Sequence, residues 1–107
     1  MNYRVRFHPN VNHDIAAIIR MVTRSAGTQA AAMRLLEIET TISGLAEVPH
    51  KGSIRSDIAP GLRAIPAGRK AVIAFTIDEE AQLVLVHTIG FAGSNWIAEA
   101  VLRKQNQ

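Results

Sequence analysis

Arg63 stands in the middle of an apolar stretch, Gly61-Leu62-Arg63-Ala64-Ile65, where a guanidinium has to reach solvent, a carboxylate or an anionic ligand. Arg69 and Lys70 follow just after Pro66-Ala67-Gly68, and His87 lies in a later apolar run. One chemistry within reach of such groups is RNA cleavage without a metal. It needs a base for the 2′-hydroxyl, a cation for the phosphorane and an acid for the leaving oxygen. Arg63 or Arg69 would be the cation, and His87, with a reference pKa of about 6.5, or Glu47 would be acid or base. Against this, His87 alternates with Leu83, Leu85 and Ile89, which is the setting of a hydrogen-bonded core histidine. The plain alternative for Arg63 is an ion pair with Glu47 or Asp57, and for Arg69 and Lys70 it is exposure in a turn.

Other chemistries find little support. His8, His13, His50 and His87 are far apart, with no second ligand at helical spacing, so no metal is expected. Gly61 and Gly68 flank a strand and do not open a helix, so no phosphate loop and no cofactor are expected either. Ser53, His87 and Asp57 would make up a triad by type alone, but no nucleophile-elbow pattern surrounds the serine.

A chain of 107 residues is one domain, residues 1–107, able to bury roughly two thirds of its unfolded surface. It has no cysteine, which is compatible with a reducing cytosol and excludes thiol zinc sites. No run is apolar enough for a membrane span, and Pro9, Asn10 and Asn12 stand where a signal peptide would be apolar. Net charge is +3, yet Lys51 to Lys70 holds five basic residues against the single acid Asp57, a local charge of +4. The partner of that segment should be anionic: nucleic acid, an acidic protein surface or an acidic tail.

The elements that must position these groups follow from periodicity. Tyr3, Val5 and Phe7 alternate with Arg4, Arg6 and His8, a strand near a sheet edge. Val11, Ile15, Ile18, Ile19 and Val22 form one helical stripe, with Arg20 and Arg24 outside it. Ser25-Ala26-Gly27 ends that helix, Thr28 is placed to cap the next, and Ala32, Leu35, Leu36, Ile38, Ile42 and Leu45 give its stripe. After an irregular stretch from His50 to Pro60 come two strands around Pro66-Ala67-Gly68, then a strand over Gln82–Ile89 broken by Gly90-Phe91-Ala92-Gly93. Val72–Ile77 is apolar on both alternating sets, which marks a central strand. A last short helix, capped by Ser94, is expected over Asn95–Lys104, with Ile97, Ala100 and Val101 inside and Arg103 and Lys104 at its C-terminal end.

The order Gly61-Leu62-Arg63, Pro66, Gly68-Arg69, then an apolar strand, the acidic turn Asp78-Glu79-Glu80 and another apolar strand, resembles the toxins of the RelE/ParE superfamily, most closely the ParE or plasmid stabilisation branch. Tyr3-Arg4-Val5-Arg6-Phe7-His8-Pro9 and Leu45-Ala46-Glu47-Val48-Pro49-His50-Lys51-Gly52 look like that family's first strand and post-helix loop. The implied fold is α+β, β-α-α-β-β-β-(α), with a helical hairpin packed on a mainly antiparallel four-stranded sheet. The implied function is the toxin of a type II toxin-antitoxin pair, cytoplasmic, inhibiting DNA gyrase and neutralised by a ParD-like antitoxin. An antitoxin tail or target would meet Arg20, Arg24, Lys51, Arg55, Arg63, Arg69 and Trp96. The RelE branch implies instead a ribosome-dependent messenger-RNA endoribonuclease using Arg63, Arg69 and His87. The C-terminal tyrosine of several such enzymes has no counterpart, the single tyrosine being Tyr3, and the basic strand ending in His-Gly of the ParE branch reads His87-Thr88-Ile89-Gly90 here. An inactive relative that keeps only antitoxin binding is the third reading.

Overall fold

The apolar periodicities close on one sheet that has helices on both faces. The computed structural model describes residues 2–91 and 93–105, in the order β1 (Arg4–Phe7), α1 (Val11–Ala26), α2 (Thr28–Glu47), β2 (Ser53–Ile54), β3 (Arg63–Ala67), β4 (Ala71–Asp78), β5 (Leu83–Phe91) and α3 (Trp96–Gln105). The strands are arranged β1-β5-β4-β3-β2, with β1 parallel to β5 and every other pair antiparallel. The α+β class and the helical hairpin stand as expected, but the sheet has five strands where four were expected. The extra one, β2, is two exposed residues paired to Arg63 and Ala64, too short to carry a periodicity.

The helical hairpin is tighter than its sequence suggested. Gly27 alone joins α1 to α2, at φ +94°, where a side chain would be strained, and Thr28 is the first helical residue and not the cap. The buried stripe of α2 runs through Ala31, Ile38 and Leu45, seven residues apart, so Ala32 and Leu36 face outward. The hairpin covers one face, where Val11, Ile18 and Val22 of α1 and this stripe meet Ile73, Phe75, Val84, Val86 and Ile89. β4 lies third of five and is covered on both sides, as a strand apolar at alternate and intervening positions must be.

The second face carries a smaller core of Ala59, Leu62, Ala74 and Ala100 with Ile58 and Trp96 against them, closed by α3. Of the break expected at Gly90-Phe91-Ala92-Gly93, Ala92 lies outside the described residues, and β5 continues to Phe91. Gly90 is needed here because a Cβ would overlap the Trp96 side chain, which lies on the strand at the first turn of α3. The face of α3 differs from expectation: Ile97 is exposed, and Arg103 is buried beside Ala100.

Candidate functional site

Arg63 opens β3 and pairs with Phe75, so its side chain lies on the face of the helical hairpin, beyond the end of α2. Its Nη1 donates to the Lys51 carbonyl at 3.3 Å, and among the described residues it forms no ion pair, neither with Glu47 nor with Asp57. Asp57 is taken by Arg55, whose Nε and Nη2 both reach it at 3.1 Å. That fork holds the Asp57 carboxyl below the usual carboxylate range.

Around Arg63 is a hollow of about 220 Å³, also lined by His50, Ile54, Gly61, Ile77 and Glu79. Glu79 accepts from Tyr3 Oη at 2.9 Å and meets His50 Nε2 at 2.6 Å, and the Tyr3 and His50 rings stand edge to face at 6.3 Å. Three segments far apart in sequence are thereby tied at one end of the sheet: β1, the loop after α2 and the β4–β5 turn. The bond to His50, then that to Tyr3, holds the Glu79 carboxyl below its ordinary value, and the bond to Glu79 pushes the Tyr3 phenol up.

Those directions fix a pH dependence. A depressed carboxyl contributes stability that is present above its unfolded pKa of about 4.3 and is lost as pH falls through the lower folded value. A raised phenol contributes below about pH 10 and loses its contribution as pH rises through the folded value. Glu79→Gln removes both effects while keeping the shape. The melting-temperature gap between the two proteins should therefore be flat from about pH 7.5 to 9 and shrink beyond about pH 4 and pH 10. A gap that stays constant down to about pH 3 would show that the Glu79 charge does not hold this end of the sheet.

His87 is elsewhere. It is the extra residue of a bulge in β5, since Thr88 pairs with Ala74 and Val86 with Phe75. Its side chain is fully buried on the α3 side of the sheet, with Nε2 2.8 Å from Thr76 Oγ1 and Nδ1 without a partner. Burial, helped by the positive charges of Lys104 and His8, lowers its pKa to about 4. The ring is thus neutral at physiological pH.

Arg69 and Lys70 lie in the turn after β3, at the opposite end of that strand from Arg63 and roughly 20 Å along it. Arg63, Arg69 and His87 are therefore spread over two ends and two faces and do not converge on one phosphate. Arg20 and Arg24 are exposed on α1, Lys51 is exposed, and Trp96 is half-buried against Gly90.

Sequence reasoning passed over Asp14 and took Arg103 only for a cation at a helix end. β1 pairs only with Leu83–Val86, so β5 has a free edge beyond that point. Asp14 of α1 reaches it: Oδ2 accepts from the Ile89 backbone at 3.0 Å, from Thr88 Oγ1 at 3.2 Å and from Arg103 Nη1 at 2.6 Å, while Oδ1 accepts from Arg103 Nη2 at 3.0 Å. Arg103 Nη1 also donates to the His87 carbonyl at 3.1 Å. Further on, Ser94 Oγ accepts from the Phe91 backbone at 3.0 Å. The open edge is sealed by side chains, which protects it from strand pairing with other chains. A groove of about 420 Å³ runs beside it between α1 and the start of α3. A second groove, about 460 Å³, lies between α1 and α2 over Phe7, Val11, Ile15 and Ile42.

Among the described residues no three histidines, cysteines or carboxylates gather to hold a metal ion, and no helix is long and apolar enough to cross a membrane.

Similar folds occur in solved toxins. The chromosomal ParDE toxin-antitoxin system of P. aeruginosa aligns over 84% of this chain and 96% of its own with a TM-score of 0.71 at 18% identity. An arginine-substituted mutant of the E. coli toxin RelE in the free state aligns over 97% and 98% with a TM-score of 0.64 at 14% identity. The toxin-antitoxin complex RelBE2 of Mycobacterium tuberculosis aligns over 85% and 99%, at 0.57 and 17%. No curated protein sequence matches. The family model for the ParE toxin of the type II toxin-antitoxin system parDE matches residues 5–96, from the edge strand β1 to the first residue of α3. With sheet, hairpin and bulged strand all inside that match, the chain belongs to the ParE toxin family of type II toxin-antitoxin systems.

Proposed function

We propose that this toxin acts by binding and poisoning DNA gyrase in complex with DNA, and that a cognate ParD-like antitoxin neutralises it in the cytoplasm. The observation that carries the reading is the dispersal of the groups that cleavage would need: Arg63 lies on the hairpin face, Arg69 at the far end of β3, and His87 buried and neutral under α3. A ribonuclease has to bring base, cation and acid within hydrogen-bond reach of one phosphate, whereas a poison needs a surface.

The α1–α2 groove supports the antitoxin partner. Phe7, exposed at 44% of its full accessible area, lines it with Val11, Ile15 and Ile42, which suits the apolar face of an amphipathic helix. Acidic residues flanking that helix would find Lys51 and Arg63 beyond the end of α2.

Two assays run together test the function. Purified toxin should stall supercoiling by gyrase, and induction in cells should leave the 5′ ends of translating messages unchanged. Codon-phased message cleavage with supercoiling unaffected would overturn the reading in favour of ribosome-dependent endoribonuclease activity.

A further inference from the structure

A cleft of about 360 Å³ opens at the end of the molecule opposite Arg63, between the tip of the helical hairpin and the β3–β4 turn. Arg34 of α2 and Arg69 and Lys70 of the turn line it, with Phe91 of β5 beside them. Among the described residues the one carboxylate paired there is Glu37, whose Oε1 stands 3.0 Å from Arg34 Nε. The contact is an ion pair by distance alone, since neither Arg34 Nε nor Glu37 Oε1 has a hydrogen-bond partner. Glu37 also lies against the turn, since a Cβ on Gly68 would overlap its side chain, yet among the described residues it forms no ion pair with Arg69 or Lys70. Among the described residues Arg69 and Lys70 form no ion pair. Three cations and one anion thus meet at a concave site of net positive charge.

We propose that this cleft binds backbone phosphates of DNA, so that the toxin grips the nucleic acid as well as the enzyme that holds it. The inference rests on the gyrase reading above. Two guanidinium groups and an ammonium around one cleft, with a single carboxylate beside them, suit the several oxygens of a phosphate. Phe91, half-buried at the cleft wall, favours nucleic acid over an acidic peptide, because cations beside an aromatic face take a phosphate and its base together.

The test is fluorescence anisotropy of the full chain with labelled 20-mer DNA, duplex and single-stranded, over a salt series. Each phosphate neutralised contributes a slope of about −0.9 for duplex, or about −0.7 for a single strand, in log K against log salt. Arg69→Ala/Lys70→Ala, in an exposed turn, should weaken binding at least about tenfold and remove roughly two phosphates' worth of slope. Arg4→Ala, on the exposed edge strand, should leave both unchanged. Equal binding by the double variant and the wild type overturns the proposal, and so does intact DNA binding with loss of an acidic antitoxin-tail peptide. Gyrase inhibition separates the two layers. If the double variant stalls gyrase as well as wild type does, the cleft inference fails and the gyrase reading stands; if wild type binds DNA through the cleft without stalling gyrase, the reverse holds.

Discussion

Arg103→Ala is expected to lower the free energy of unfolding by about 3–5 kcal/mol, the cost of removing one partner from a buried ion pair. The side chains of Arg103 and Asp14 are 9% and 14% exposed, and the pair is bidentate. Without the guanidinium, the Asp14 carboxylate keeps only Thr88 and the Ile89 backbone as donors, and the His87 carbonyl loses the arginine. Small domains have only about 5–15 kcal/mol in total, so the variant should stand near the edge of folding. The pair also joins layers, because Asp14 belongs to the helix on one face and Arg103 to the helix on the other, and they meet around the free edge of β5. Replacing both by apolar residues of similar volume is often near neutral for a buried pair. Here it should still cost about 1–3 kcal/mol, since the Ile89 N–H would be left without an acceptor. Urea unfolding of both variants checks this. A loss below about 1 kcal/mol for Arg103→Ala would mean that α3 is held by its apolar contacts alone.

This network also marks where the sequence stopped being legible. The helices, the edge strand and the central strand are carried by apolar period, and all appear where the periods place them. Polar residues lying on an apolar stripe carry a signal too, though a weaker one. Asp14 is three residues after Val11 and four before Ile18, and Arg103 is three after Ala100, so each falls on its helix's buried side. Reading Arg103 as a dipole partner at a helix end treated it as solvated. The misplaced stripe of α2 has a different cause: Ala30, Ala31 and Ala32 are interchangeable by hydropathy, and only the sheet selects Ala31. The cluster of Tyr3, His50 and Glu79 had no local signal, because its members lie 29 to 76 residues apart and meet only through the parallel pairing of β1 with β5. In the same way, the β-bulge, invisible in the sequence, shifts the alternation of β5 after His87, so that Ile89 joins the hairpin-side core and not the face of His87.

Arg63→Ala and His87→Gln should fail in opposite ways. Arg63 makes one long hydrogen bond, to a backbone carbonyl, and no ion pair among the described residues, so its loss should change stability by no more than about 1 kcal/mol. If its guanidinium is a contact for the target, growth arrest and gyrase inhibition should fall at least about tenfold, the effect of losing one well-placed arginine at an interface. His87 presents no atom to a target: it is fully buried, bonded to Thr76 and neutral above about pH 4. In the unfolded chain it binds a proton near pH 6.5, so wild-type stability should decline as pH drops from about 6.5 toward 4. His87→Gln should flatten that decline and leave inhibition by the folded fraction unchanged. Growth arrest, supercoiling inhibition and melting temperature measured across pH for both variants separate the roles. A toxic but destabilised Arg63→Ala protein would make Arg63 a structural residue, and a stable, inactive His87→Gln protein would show that His87 reaches the target after α3 moves aside.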